Sequence, residues 1–206
     1  MKGSFDTGVC IAALVVAVCC GSAGASRGPS APSGAINSAQ AAPNRLRAFS
    51  LTDSRGAVVT DRTFRGEWLV VFFGFTNCPD TCPAALFKLS KALDALGSQG
   101  NGVRVAFITI DPERDTPQAL KTYLQPFGPR FTGLTGSPAE ISATERTFHA
   151  YAEKQPRASD GTYGVDHSSA FYVLDPKGQF QRQVSAESSI PDLTASLRSA
   201  LSTGTG

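Results

Sequence analysis

Two cysteines and one histidine carry the chemistry open to this sequence. Cys78 and Cys82 stand with three residues between them in Gly74-Phe75-Thr76-Asn77-Cys78-Pro79-Asp80-Thr81-Cys82-Pro83. Two sulfurs so close in sequence can form a local disulfide, act as a redox couple or clamp a metal ion. The interval is one residue wider than the C-x-x-C of a general dithiol redox motif. A structural zinc site normally takes four protein ligands. Outside the first 25 residues the chain offers two cysteines and two histidines, so such a site would need His149 as well as His167. His149 falls among Arg146, Thr147 and Tyr151 in a helical pattern and reads as a helix-face residue. Three soft donors, two thiolates and an imidazole, suit Cu(I) better.

The elements that must position these residues follow from hydrophobic patterning. Residues 68–75, WLVVFFGF, form a continuous apolar run rich in β-branched and aromatic side chains, as expected of a strand buried on both faces. A helix is expected over 83–96, with Pro83 in its first turn and Leu86, Leu89, Ala92, Leu93 and Leu96 as its apolar stripe. That places Cys82 at the helix start, where unpaired N–H groups and the positive end of the dipole favour a thiolate. Residues 103–110 read as a second buried strand. Helices are expected from Thr116-Pro117 to about 124, and from the capping box at Ser137-Pro138-Ala139-Glu140 to about 154. Hairpins are expected at 48–60 and at 170–184, and a last amphipathic helix at 190–201. Phe75 or Trp68 is expected to border the site. Asp111, Glu113, Arg114 and Asp115 most simply make a solvated turn capping the Thr116 helix. The order of elements predicts a three-layer α/β domain of thioredoxin-like architecture.

Composition and targeting narrow the function classes. The chain has 206 residues, and 19 basic side chains against 17 acidic ones leave too little net charge for nucleic-acid binding. Residues 1–25 read as an export signal: a weakly positive start, a 12-residue apolar run from Val9 to Cys20, then Ala23-Gly24-Ala25 before a cleavage point at Ser26. Retention as an N-terminal anchor and lipidation of Cys19 or Cys20 are the other readings. Residues 26–43, rich in Ala, Ser, Gly, Pro and Asn, read as a flexible tether, and 44–206 as one globular domain. Cys10, Cys19 and Cys20 fall in the signal, so the exported domain keeps Cys78 and Cys82 alone.

Three blocks in order resemble the Sco family (also called SenC or PrrC) of copper-binding assembly factors for cytochrome c oxidase. They are the cysteine segment quoted above, Asp111-Pro112-Glu113-Arg114-Asp115-Thr116-Pro117, and Val165-Asp166-His167-Ser168 leading into Phe171-Tyr172-Val173-Leu174-Asp175-Pro176-Lys177-Gly178. The similarity spans residues 45 to 200. It implies a thioredoxin-like fold with an added hairpin, and copper, as Cu(I) or Cu(II), held by Cys78, Cys82 and His167. It also implies a monomeric periplasmic metallochaperone, free or tethered to the inner membrane, whose partner is the copper-site subunit of cytochrome c oxidase or another copper or thiol carrier. The 111–117 block is implied to be a partner-docking or site-edge loop. The sequence departs from the family at Asn77, where a histidine often precedes the first cysteine. The alternative function is an exported thiol–disulfide oxidoreductase acting on the cysteines of a copper-accepting partner, with Cys78 attacking and Cys82 resolving. Against a general reductase stand the wider loop, the lack of an aromatic residue directly before Cys78 and the lack of a proline just before residue 170.

Overall fold

The apolar run at residue 68 becomes a strand whose seven residues, Trp68–Gly74, are all buried, as only a strand covered on both faces allows. The computed structural model describes residues 49–159 and 163–203, so the expected export signal and tether lie outside the described residues. The strands are β1 (Ser50–Asp53), β2 (Val58–Thr60), β3 (Trp68–Gly74), β4 (Val103–Thr109), β5 (Phe131–Thr135), β6 (Ala152–Lys154), β7 (Val165–His167), β8 (Ala170–Leu174) and β9 (Phe180–Ser185). The helices are α1 (Thr81–Ala95), a single turn α2 (Ser98–Asn101), α3 (Pro117–Leu124), α4 (Pro138–Phe148) and α5 (Ile190–Thr203).

Seven strands form one sheet in the order β2-β1-β5-β4-β3-β8-β9, and β6 pairs with β7 as a separate ribbon. β3, β4 and β5 run parallel, joined through α1 and α3, whereas β8 and β9 return antiparallel on the other side of β3. Adjacent residues on β3 point to opposite faces. Phe72 meets Phe107 and Phe171 on one face, with ring centroids 6.1 and 5.1 Å away. That face is covered by α1 and α3, with Tyr123 of α3 lying 5.5 Å from Phe107 and α5 packed beside α1. Phe73 points the other way, edge-on to Phe148 of α4 at 5.5 Å and to Tyr172 at 5.9 Å. The result is the three-layer, thioredoxin-like α/β domain expected, with the added hairpin β1–β2 extending the sheet beyond β5.

Local signals account for most boundaries. Thr116 caps α3 by accepting from the Ala119 amide, and Ser137 and Glu140 form the reciprocal capping box of α4 with Pro138 in its first turn. α4, however, stops at Phe148 instead of running on to residue 154. His149 takes a left-handed conformation (φ 52°) as its cap, and the chain re-emerges as β6. The expected mid-helix place of His149 is therefore corrected: it terminates the helix. β5 has no counterpart in the sequence reading, although Phe131, Thr132, Leu134 and Thr135 are strand-forming types.

Candidate functional site

The fully buried strand β3 ends at Gly74, and the chain then turns through Cys78, whose amide donates to the Phe75 carbonyl at 3.2 Å. α1 begins at Thr81, so Cys82 lies in its first turn and Cys78 in the loop before it. Both cysteines are free thiols, Cys78 half-buried and Cys82 fully buried. The backbone N–H of Cys82 donates to Cys78 Sγ at 3.3 Å, one of the unpaired amides of the helix start put to use. Gly74 makes the close seating possible. A Cβ there would stand 2.9 Å from Cys82 Sγ and 2.8 Å from the Phe107 ring.

The expected helix-start thiolate at Cys82 is overturned. Burial pushes the Cys82 thiol far up, and the hydrogen bond and charge of Cys78 and the charge of Asp115 push it the same way. A hydrogen bond from the Phe75 backbone opposes them without prevailing. At this depth desolvation outweighs the dipole.

β7 brings His167 to the same place. Its ring stands edge-on to Phe72 and Phe75, with centroids 6.2 and 6.0 Å away. Its Nε2 lies 3.6 Å from Cys82 Sγ, across 85 residues of sequence. Nδ1 lies 3.1 Å from the Ser168 carbonyl, which only accepts, so Nδ1 carries the proton. Nε2 then turns its lone pair toward the Cys82 S–H. Burial lowers the pKa of His167, against smaller upward effects of the Ser168 hydrogen bond and Asp166, and keeps the ring neutral at pH 7. A neutral imidazole with its far nitrogen anchored on a carbonyl is the usual preparation of a metal-binding histidine.

The loop over residues 111–115 is not the solvated turn expected. Asp111 and Asp115 are both fully buried, and buried carboxylates persist only where donors surround them. Asp115 accepts from the Thr76 amide at 3.0 Å, the Thr76 hydroxyl at 2.5 Å and the Thr109 hydroxyl at 2.6 Å. Asp111 accepts from Arg114 and from the Tyr163 hydroxyl at 2.8 Å, with the Lys154 ammonium 3.5 Å away. The implied site-edge role agrees better with this placement, since Thr76 belongs to the cysteine loop. Tyr163 escaped the sequence reading. The signal that could have found it is the donor demand of two carboxylates confined to five residues.

Phe75 borders the site and Trp68 does not: it opens β3 at the opposite end, about 20 Å away at strand rise. Among the described residues no three His, Cys, Asp or Glu side chains already stand together as an ion's ligands. A cleft of about 390 Å³ lined by Gln118, Lys121, Thr122, Pro129 and Gly133 includes neither cysteine nor His167.

Fold and site together define a thioredoxin-like domain with an imidazole in contact with its dithiol. The chain belongs to the SCO1/SenC family, whose sequence profile matches residues 37–202. It is 43% identical over 152 residues to the mitochondrial SCO2 homolog of Bos taurus, covering 73% of this chain and 57% of that protein. It is 42% identical over 157 residues to the protein sco1 of Schizosaccharomyces pombe, covering 74% of this chain and 59% of the other. The chain thus spans under two thirds of the length of these relatives. Among solved structures, Bradyrhizobium japonicum ScoI with copper bound superposes with a TM-score of 0.68 at 39% identity, covering 76% of this chain and 99% of that one. BsSco, described as having a disulfide switch and as a member of the Sco family of cytochrome c oxidase assembly proteins, superposes with a TM-score of 0.61 at 25% identity. That match covers 78% of this chain and 95% of BsSco. No helix among the described residues is long and apolar enough to cross a membrane.

Proposed function

We propose that this protein is a copper chaperone that binds Cu(I) or Cu(II) through Cys78, Cys82 and His167 and helps assemble the binuclear copper site of a cytochrome c oxidase subunit. The observation that carries the reading is the 3.6 Å approach of His167 Nε2 to Cys82 Sγ, beside a free Cys78. Two sulfurs and a neutral imidazole are a soft set that suits copper, and a copper-bound ScoI shares the fold. Closing three donors around one ion requires Cys78 to leave the Cys82 amide and Cys82 to lose its proton. Binding therefore releases protons and strengthens with pH. Two thiolates around Cu(I) leave the site at −1, and around Cu(II) they leave it neutral. The ion is cargo for a partner subunit or another copper carrier. The domain acts as a monomer on the far side of the membrane, exported or held there by its N-terminal segment.

The test is a titration of the reduced protein with Cu(I) and Cu(II), beside Cys78→Ser. One tight ion per chain for the wild type, and loss of both ions in the variant, are expected. Equal affinity in the variant contradicts the reading.

A second reading has its own support. Cys78 and Cys82 are free and adjacent, and a relative is described as having a disulfide switch. Cys78, the more exposed sulfur, would attack a partner disulfide and Cys82 would resolve the mixed disulfide, the domain ending oxidised and the partner reduced. Thiol exchange has no need of His167, and tight Cu(II) binding does.

A further inference from the structure

The site has two halves that come from distant parts of the chain. The cysteines sit on the loop between β3 and α1, which the sheet core holds. His167 sits on the ribbon β6–β7, two three-residue strands paired to each other and not to the main sheet. A two-stranded ribbon has little stability of its own. Something else must fix where His167 stands.

Both halves are tied to one five-residue loop, residues 111–115. At its end, Asp115 grips the amide and hydroxyl of Thr76, two residues before Cys78. At its start, Asp111 grips the ribbon twice: the Tyr163 hydroxyl at 2.8 Å, four residues before His167, and Lys154, which pairs opposite Val165. Glu113 adds a 3.0 Å ion pair to Lys154. Between the carboxylates, the Arg114 guanidinium lies 3.7 Å from the Tyr163 ring centroid and 5.9 Å from that of Phe75, the ring that touches His167. The loop is itself stiff: the amides of Arg114 and Asp115 both donate to the Asp111 carbonyl, and the Asp111 amide donates to the Thr109 hydroxyl at the end of β4. Asp111 and Asp115 therefore cannot shift independently.

We propose that the 111–115 loop is a brace that sets the separation of His167 from the two cysteines, with Tyr163 and Thr76 as positioning residues for the two halves. This rests on the copper reading for its purpose, but its geometry is independent of it. A buried carboxylate serving only stability would need donors from anywhere nearby. Here the donors come from the cysteine loop at one end and from the histidine ribbon at the other.

Tyr163→Phe keeps the ring over Arg114 and removes one hydroxyl, and Thr76→Val removes the other hydroxyl at nearly constant volume. Both are made in the full reduced chain, beside His167→Ala. Tyr163→Phe is expected to weaken Cu(II) about tenfold, leave Cu(I) unchanged, and speed hydrogen exchange at the Gln155 and Ser168 amides, which donate across the ribbon to the Gly164 and Tyr151 carbonyls. Thr76→Val is expected to weaken both ions. Equal loss of both ions in Tyr163→Phe, or no loss with unchanged exchange, overturns the brace. If His167→Ala also leaves Cu(II) unchanged, the copper assignment of His167 has failed instead. Exchange in the ribbon then decides the brace: faster in Tyr163→Phe supports it, unchanged overturns it.

Discussion

Cys82 and Cys78 are four residues apart and chemically unlike. Cys82 is sealed between α1 and the end of β3, whereas Cys78 is reachable and receives the Cys82 amide. On either proposed reading Cys82 therefore reacts second, giving up its proton as it binds the ion or attacks the mixed disulfide formed at Cys78. Its burial has a measurable consequence in the metal-free, reduced protein. The folded thiol titrates above the unfolded one, so at alkaline pH the unfolded chain sheds a proton that the folded chain keeps. This contribution to stability is full below the unfolded thiol range, about pH 8.5, and is lost as pH rises through the raised folded value. Denaturant melts at pH 7.5 and 9.5 should show the wild type losing more stability than Cys82→Ser. Equal losses would mean that the folded thiol is not held up. The cysteine pair was plain from its spacing, but its polarity was not, because helix-start electrostatics and burial oppose each other and only the fold shows which is larger.

At the scale of elements, the site depends on how closely α1 packs onto β3. Gly74 is the contact point, with Cys82 Sγ and the Phe107 ring occupying the space a side chain would take. Gly74→Ala should cost about 1–3 kcal/mol as an overpacked core position, and it should weaken binding at Cys82 as well. Denaturant melts and copper titration of this variant check both effects, and an unchanged stability would show that α1 moves off the sheet at no cost. Long elements were legible from their patterns: β3 from its apolar run, α3 and α4 from Thr116-Pro117 and Ser137-Pro138. The three-residue strands β6 and β7 were not, since neither is long enough to display a period. The expected α4 runs on through β6 for that reason, and His149, which takes positive φ more readily than most side chains, gives a far weaker stop signal than a glycine would. The burial of Asp111 and Asp115 was hidden in the same way: a charged run looks solvated until a tyrosine 52 residues on is brought to it.

For the whole molecule, the layered α/β architecture could be anticipated from alternating strands and helices, but the meeting of His167 with Cys82 depends on β8 pairing back along β3. That pairing carries the end of β7 to the carboxyl end of β3, where sites in α/β folds gather. A ligand that joins two such remote segments stabilises the folded state by mass action, about 2.7 kcal/mol at a hundredfold excess over Kd. Thermal melts should therefore rise on adding Cu(I) to the reduced wild type and fall back with a chelator. Cys78→Ser should show little of the rise. A melt indifferent to copper would argue for the thiol-exchange reading.

The most direct test of the account is the Cu(II) spectrum of the reduced protein against that of His167→Ala. The account predicts sulfur-to-copper charge transfer in both, with the nitrogen hyperfine coupling of a single imidazole in the wild type and none from that residue in the variant, together with weaker Cu(II) binding and retained Cu(I) binding. Identical spectra and equal Cu(II) affinity would contradict it, because the 3.6 Å approach of Nε2 to Cys82 Sγ would then serve packing alone.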